Sequence, residues 1–247
     1  MKKQLFAVLA ILTMLAAATV TGHSAPAAAS RDWTIDFMGT LQVPVQLEIV
    51  DAKEVILGIE QISRHERAAK GMNTEADALQ AQELAAALAR NNIGIYQLAL
   101  KRDNSYHTAI AFAAKLPEEM LPIGLGLFEE LQSMDQQQQT EIRQRFLAEI
   151  ETGLAASPEL AELFNVEVLE LYPFEQMTSK SAQIVSVGGS LAFRMYKLIQ
   201  PAAFKVHFIR RNSQMYVFGV MNSGTDRRLW EDMTQAMLAS AQWRLLL

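Results

Sequence analysis

Three histidines stand outside the N-terminal thirty residues: His65, His107 and His207. A metal site draws on His, Asp, Glu or Cys at short local spacing. No two of these histidines have that spacing, and no H-E-x-x-H occurs. His65 lies in a charged stretch, Ser63 to Arg67, that reads as a solvated helix. His107 and His207 fall in strands of two different hairpins and could meet across one sheet. With a carboxylate such as Glu170 they form the candidate metal site of this chain. The competing reading leaves both rings on the polar faces of their strands, half-buried or at the surface.

Nucleophile patterns are missing. The chain has no cysteine, which excludes thiol chemistry, and it contains neither G-x-S-x-G nor S-x-x-K. Ser186-Val187-Gly188-Gly189-Ser190 has the composition of an oxyanion turn, but a glycine turn or bulge between two strands accounts for it equally well. Gly124-Leu125-Gly126 precedes a helical pattern without the strand and third glycine that a phosphate loop needs, so it reads as a helix-entry loop. Glu118-Glu119 and Glu129-Glu130 are sequence neighbours. On a helix such neighbours point about 100° apart and make no catalytic dyad by themselves. Met233 and Met237 share a helical stripe with Trp230 and are assigned to core packing rather than to an adaptable binding surface.

The elements that must position these residues are readable in part. Trp33, Ile35 and Phe37 alternate with polar residues, as do Leu41, Val43, Val45, Leu47 and Ile49, predicting two half-buried strands. Pro44 lacks an N–H and marks the second as an edge or bulged strand. Glu54 to Arg67 suits helix and strand alike. Asn73-Thr74-Glu75 opens a helix running to about Arg90. Ile93 to Lys101 and Tyr106 to Leu116 form a hairpin around Arg102-Asp103-Asn104-Ser105. A helical region follows from about Leu125 to Gly153, with Ile142, Phe146, Leu147, Ile150 and Leu154 on one face. Its run Gln136 to Gln139 is a solvated face or a break between two helices. Val166 to Tyr172, Gln183 to Val187 and Leu191 to Leu198 read as strands. A second hairpin pairs Phe204 to Arg210 with Gln214 to Met221, and Thr225 or Asp226 caps a final helix. Strands and helices that do not strictly alternate predict an α+β fold: an antiparallel sheet of two hairpins plus extra strands, packed with helices.

The N-terminus carries an address. Lys2 and Lys3 precede the apolar run Leu5 to Val20, and a small-residue tract follows from Ser24 to Ser30. This is the pattern of a secretory signal peptide over 1–29, cleaved after Ala27 or Ala29, with one α+β domain over 30–247. The apolar run, about 16 residues, is shorter than the roughly 20 that a spanning helix needs. An uncleaved tether is the alternative. Without cysteine there is no lipoprotein anchor and no disulfide, so stability rests on an ordinary core. Loss of the leader removes two lysines and no acid, taking the formal charge from −5 to −7. Such a chain lacks the basic footprint of a nucleic-acid binder and any electrostatic patch for a membrane surface.

The strand Phe204 to Ile209, the strand Met215 to Val220 and the helix Arg227 to Ser240 together resemble the end of the PsbP-like fold. Trp230 and Ser240 match the aromatic residue and the serine that the family often carries in that helix. Ala241 departs from it, standing where an aromatic residue is common, although Trp243 follows closely. The resemblance covers about a quarter of the chain. It implies an α/β sandwich that binds a partner or serves as an accessory subunit, and it brings no catalytic residues. The expectation is therefore an exported, non-catalytic binding or accessory module of the bacterial cell envelope, without a cofactor. Its partner would be another envelope protein or a small molecule, and its oligomeric state is open. The alternative is an extracytoplasmic hydrolase using carboxylates or the His107–His207 pair.

Overall fold

The computed structural model describes residues 29–54, 83, 85–102, 104–141, 144, 148, 165–195 and 198–244. The leader, His65 and most of the segment 54–67 lie outside them, as does the apolar face Ile142 to Leu154. The fold is α+β with two antiparallel sheets. The smaller has the order β1-β2-β11, from Ser30–Ile35, Gly39–Pro44 and Gln242–Trp243. The larger begins with β3 (Leu47–Asp51), β4 (Ile93–Arg102) and β5 (Ser105–Lys115). It continues through β10 (Gln214–Asn222), β9 (Leu198–Arg211) and β8 (Ala182–Met195). Along its last edge β6 (Asn165–Leu171) and β7 (Glu175–Ser179) both pair with β8.

Both predicted hairpins form, each closed by two residues. Asn104 (φ 62°) and Asn212 (φ 52°) take the left-handed conformation that Asn tolerates better than most residues. The strand expected from Leu41 to Ile49 is instead two strands. β2 ends at Pro44, and after the turn at Val45-Gln46 the chain crosses to the other sheet, where β3 is the edge strand. Gly188-Gly189 makes no turn. β8 runs through it without a break, and the register shift lies across the ladder on β6, between Val168 and Glu170. The glycines serve close approach: a Cβ at Gly189 would stand 2.5 Å from the Glu170 carbonyl oxygen and 2.9 Å from Leu171 Cδ2.

Helices cover both faces of the large sheet. α1 (Leu121–Ser133) seats Phe128 and Leu131 against Val185 and Met215. Gly124 and Gly126 lie inside this helix, not in a loop before it, because Pro at the first turn starts it earlier than expected. It ends at Ser133, and a new helical run starts at Gln136. Asp135 and Gln138 cap that run reciprocally, Gln138 N donating to Asp135 Oδ1 at 2.9 Å and Asp135 N to Gln138 Oε1 at 3.0 Å. Beside α1, Leu88 packs with Ile95 and Ile110.

On the opposite face lies α2 (Arg227–Ser240), with Trp230, Met233, Thr234, Met237 and Leu238 buried as its spacing predicts. Trp230, Met233, Met237 and Leu238 share one cluster with Phe218 and Ile209 of the large sheet and with Trp33, Leu41 and Trp243 of the small one. Trp33 meets Tyr96 edge-on at 5.0 Å between centroids.

Two glycine substitutions should act with opposite signs. Gly189→Ala forces its Cβ into backbone and is expected to cost about 2 kcal/mol. Gly126→Ala meets open space on a helix and should gain up to about 1 kcal/mol. Urea unfolding of the two variants measures both.

Candidate functional site

Polar side chains gather beneath and around the start of α2. Asp226 is its N-cap, yet its carboxylate makes no capping hydrogen bond. It turns to His107 on β5, where Nδ1 lies 3.1 Å from Asp226 Oδ2. That is ion-pair distance with a bent approach, and among the described residues neither ring nitrogen has an aligned hydrogen bond. The next helical residue, Arg227, stacks its guanidinium over the Tyr172 ring at 4.5 Å and reaches Glu231 at 3.7 Å. The Tyr172 hydroxyl bonds to Ser190 Oγ, and its ring occupies the space that Gly188 leaves on β8. Lys205, opposite Gly188 on β9, pairs with Glu175 at 2.6 Å. Lys205, Arg227, Trp230, Glu231 and Thr234 are among the residues around a cavity of about 10 Å³, room for about one water molecule. Trp230 Nε1 is buried without a partner among the described residues.

A second polar pair lies deeper. Ser186 and His207 face each other across β8 and β9, with Ser186 Oγ 2.7 Å from His207 Nδ1. His207 stacks on Phe218 of β10, and its Nε2 has no partner among the described residues. Burial, with the Lys205 ammonium adding to it, pushes His207 from 6.5 down to about 3. The ring is therefore a neutral core group near pH 7.

These positions correct the expectation of half-buried or surface histidines. His107 and His207 are each 2% exposed. They share one face of one sheet but do not meet. Phe218 pairs with both His207 and Ala113, so His107 stands six residues further along β5, with β10 between the two strands. At about 3.3 Å per residue that is roughly 20 Å of sheet. Glu170 is exposed on β6 at the far edge. Among the described residues no three His, Cys, Asp or Glu side chains are grouped to hold a metal. Of the other candidates, Ser186 lies in a strand bonded to His207, Glu129 pairs with Arg210 at 3.1 Å, and Met233 and Met237 are core.

The two pairs that do form, Asp226–His107 and Ser186–His207, were missed because each joins distant segments. The signal available was the inner face of α2. That face says that α2 covers a sheet, but not that it covers the side carrying Lys205, His207, Ile209 and Arg211 rather than the more apolar Phe204, Val206 and Phe208.

A different concavity, a groove of about 520 Å³, opens at the turn of the small sheet. It is lined by Thr34, Asp36, Thr40, Gln242 and Arg244, among others. Thr34 and Thr40 join hydroxyls at 3.0 Å across its floor, and the Arg244 guanidinium bonds to the Asp36 carbonyl.

No family model matches the chain. No curated protein matches it. Among solved structures it is similar to LpqN of Mycobacterium tuberculosis, described as involved in cell envelope biogenesis, at 13% identity. That match covers 61% of this chain and 72% of the other, with a TM-score of 0.28, too low to bear on function.

The buried pair at the start of α2 has a measurable coupling. Asp226→Ala strands a buried imidazole and should cost about 1–3 kcal/mol. His107→Leu/Asp226→Ala together should cost less than the sum of the single changes. The exposed pair Arg227–Glu231 should contribute under about 1 kcal/mol in the same urea titrations.

Proposed function

We propose that the chain is an exported, non-catalytic binding or accessory module of the bacterial cell envelope, of the PsbP-like kind. The observation that carries this reading is the leader: Lys2 and Lys3, the apolar run Leu5 to Val20 and the small-residue tract to Ser30. The order of β9, β10 and α2 agrees with the C-terminal unit on which the PsbP-like resemblance rests. Contact with a partner or small molecule is assigned to the polar groove of the small sheet, whose hydroxyl, carboxylate, amide and guanidinium groups can hydrogen-bond a ligand. Among the described residues no helix is long and apolar enough to cross a membrane. A hydrolase built on His107 and His207 together is not proposed, since the sheet separates them and both rings are buried.

The test is the intact mass of the protein made with its own leader and recovered from the exported fraction. The expected mass starts at Ala28 or Ser30. A full-length chain held in the cytoplasm would contradict export. Turnover in a broad hydrolase panel, lost on a single Asp, Glu or His substitution, would contradict the non-catalytic part.

A further inference from the structure

We propose that α2 is an acid-released cover: protonation of His207 in the core beneath it favours a state in which the helix has lifted from the large sheet. The geometry places the ring under the middle of the helix. Towards the start of α2, Thr234 and Lys205 border the same cavity. Towards its end, Ser179 Oγ donates to the Leu238 carbonyl at 2.6 Å, and Ser179 pairs with Ala182, level with the far end of β9. His207 lies between these levels, 2% exposed, on the face that α2 covers.

Among the described residues nothing around the ring is arranged to receive a second proton's charge. Ser186 on β8 can serve Nδ1 alone, and Nε2 has no acceptor among the described residues. From β10 the ring meets Phe218, with Tyr216 further along the same face. On its own strand two cations, Lys205 and Arg211, share its face, while the third, Arg210, is on the other face and pairs with Glu129. The guanidinium of Arg211 is engaged by Ser181 Oγ and the Arg244 carbonyl. The acids in this region are committed elsewhere, Glu175 to Lys205 and Glu231 to Arg227. The buried face of α2 offers Trp230, Met233, Thr234, Met237 and Leu238, none of them charged. His107 and Asp226 are one pair, about 20 Å along the sheet.

A charged imidazole must be hydrated, and there are two ways to admit water. One breaks the ladders that join β9 to β8 and β10. The other lifts α2 and leaves both ladders intact, so it is the less costly route. The sign follows from the folded-state value, about 3, lying below the ordinary 6.5. The stability of the closed form is complete above about pH 6.5 and is lost as the pH falls towards 3.

Hydrogen exchange resolved by segment, at about pH 6.5 and about pH 4.5 and corrected for intrinsic rates, tests the cover. The opening constant of α2 should rise by nearly tenfold per pH unit while the central amides of β9 and β10 stay protected. His207→Gln, which keeps a partner for Ser186 but does not titrate, should flatten that dependence. The apolar pair Ser186→Ala/His207→Leu should do the same and guards against a poorly folded single variant. Equal acid sensitivity in the wild type and both variants would overturn the proposal. So would α2 and the sheet opening together, since that is global unfolding rather than release of a cover.

Discussion

One apolar helix face makes two sheets share a core. Trp230, Met237 and Leu238 of α2 are each no more than 1% exposed, and they meet the large sheet at Phe218 and Ile209 and the small sheet in the cluster of Trp33, Leu41 and Trp243. Full burial of such a side chain contributes about 1.5–3 kcal/mol, against less than about 1 kcal/mol for an exposed ion pair. The surface pairs Lys205–Glu175 and Arg210–Glu129 therefore decorate the fold, while α2, together with the direct contacts of Trp33 with Tyr96 and Phe218, holds the small sheet against the large one.

Buried hydrogen bonds fix how that face is seated. Thr234 donates to the Trp230 carbonyl at 2.6 Å, bonding back within the helix rather than leaving a buried hydroxyl unmet. Ser179 Oγ reaches the Leu238 carbonyl, and Trp243 Nε1 donates to the Ser179 carbonyl at 3.2 Å. Ser240 Oγ accepts from Gln42 N at 3.3 Å, tying the end of α2 to β2. Each such group would be costly if left unpaired, and the bonds that join Ser179 and Gln42 to the end of α2 disfavour a rotated or shifted helix. At the other end Asp226 gives up capping to hold His107. His107, a candidate metal ligand in the sequence, is thus paired with the residue that starts a helix.

What was legible in the sequence was local. Asn104 and Asn212 announced both hairpins, and the steps from Trp230 to Met237 announced the buried stripe of α2 and its length. What was illegible depends on tertiary cover. Along β9 the alternation of Phe204, Val206 and Phe208 looks like the core face. Yet His207, Ile209 and Arg211 on the other face are the buried ones, because α2 lies over them. Gly188-Gly189 reads as a turn until Tyr172 and the β6 backbone are seen to need the space. The crossing after Pro44 could be read as an ending, but not as a change of sheet.

All three tryptophans of the chain, Trp33, Trp230 and Trp243, lie in the cluster that α2 closes. That makes the shared core directly observable. Urea unfolding at about pH 8, where His207 is neutral and α2 closed, followed at once by tryptophan fluorescence and by far-ultraviolet circular dichroism, is the measurement to make. If one helix face unites both sheets, the two probes will give the same midpoint and the same slope. An early fluorescence change, with the sheet signal surviving to higher urea, would mean that the small sheet and α2 separate from a large sheet stable without them, and would contradict the account.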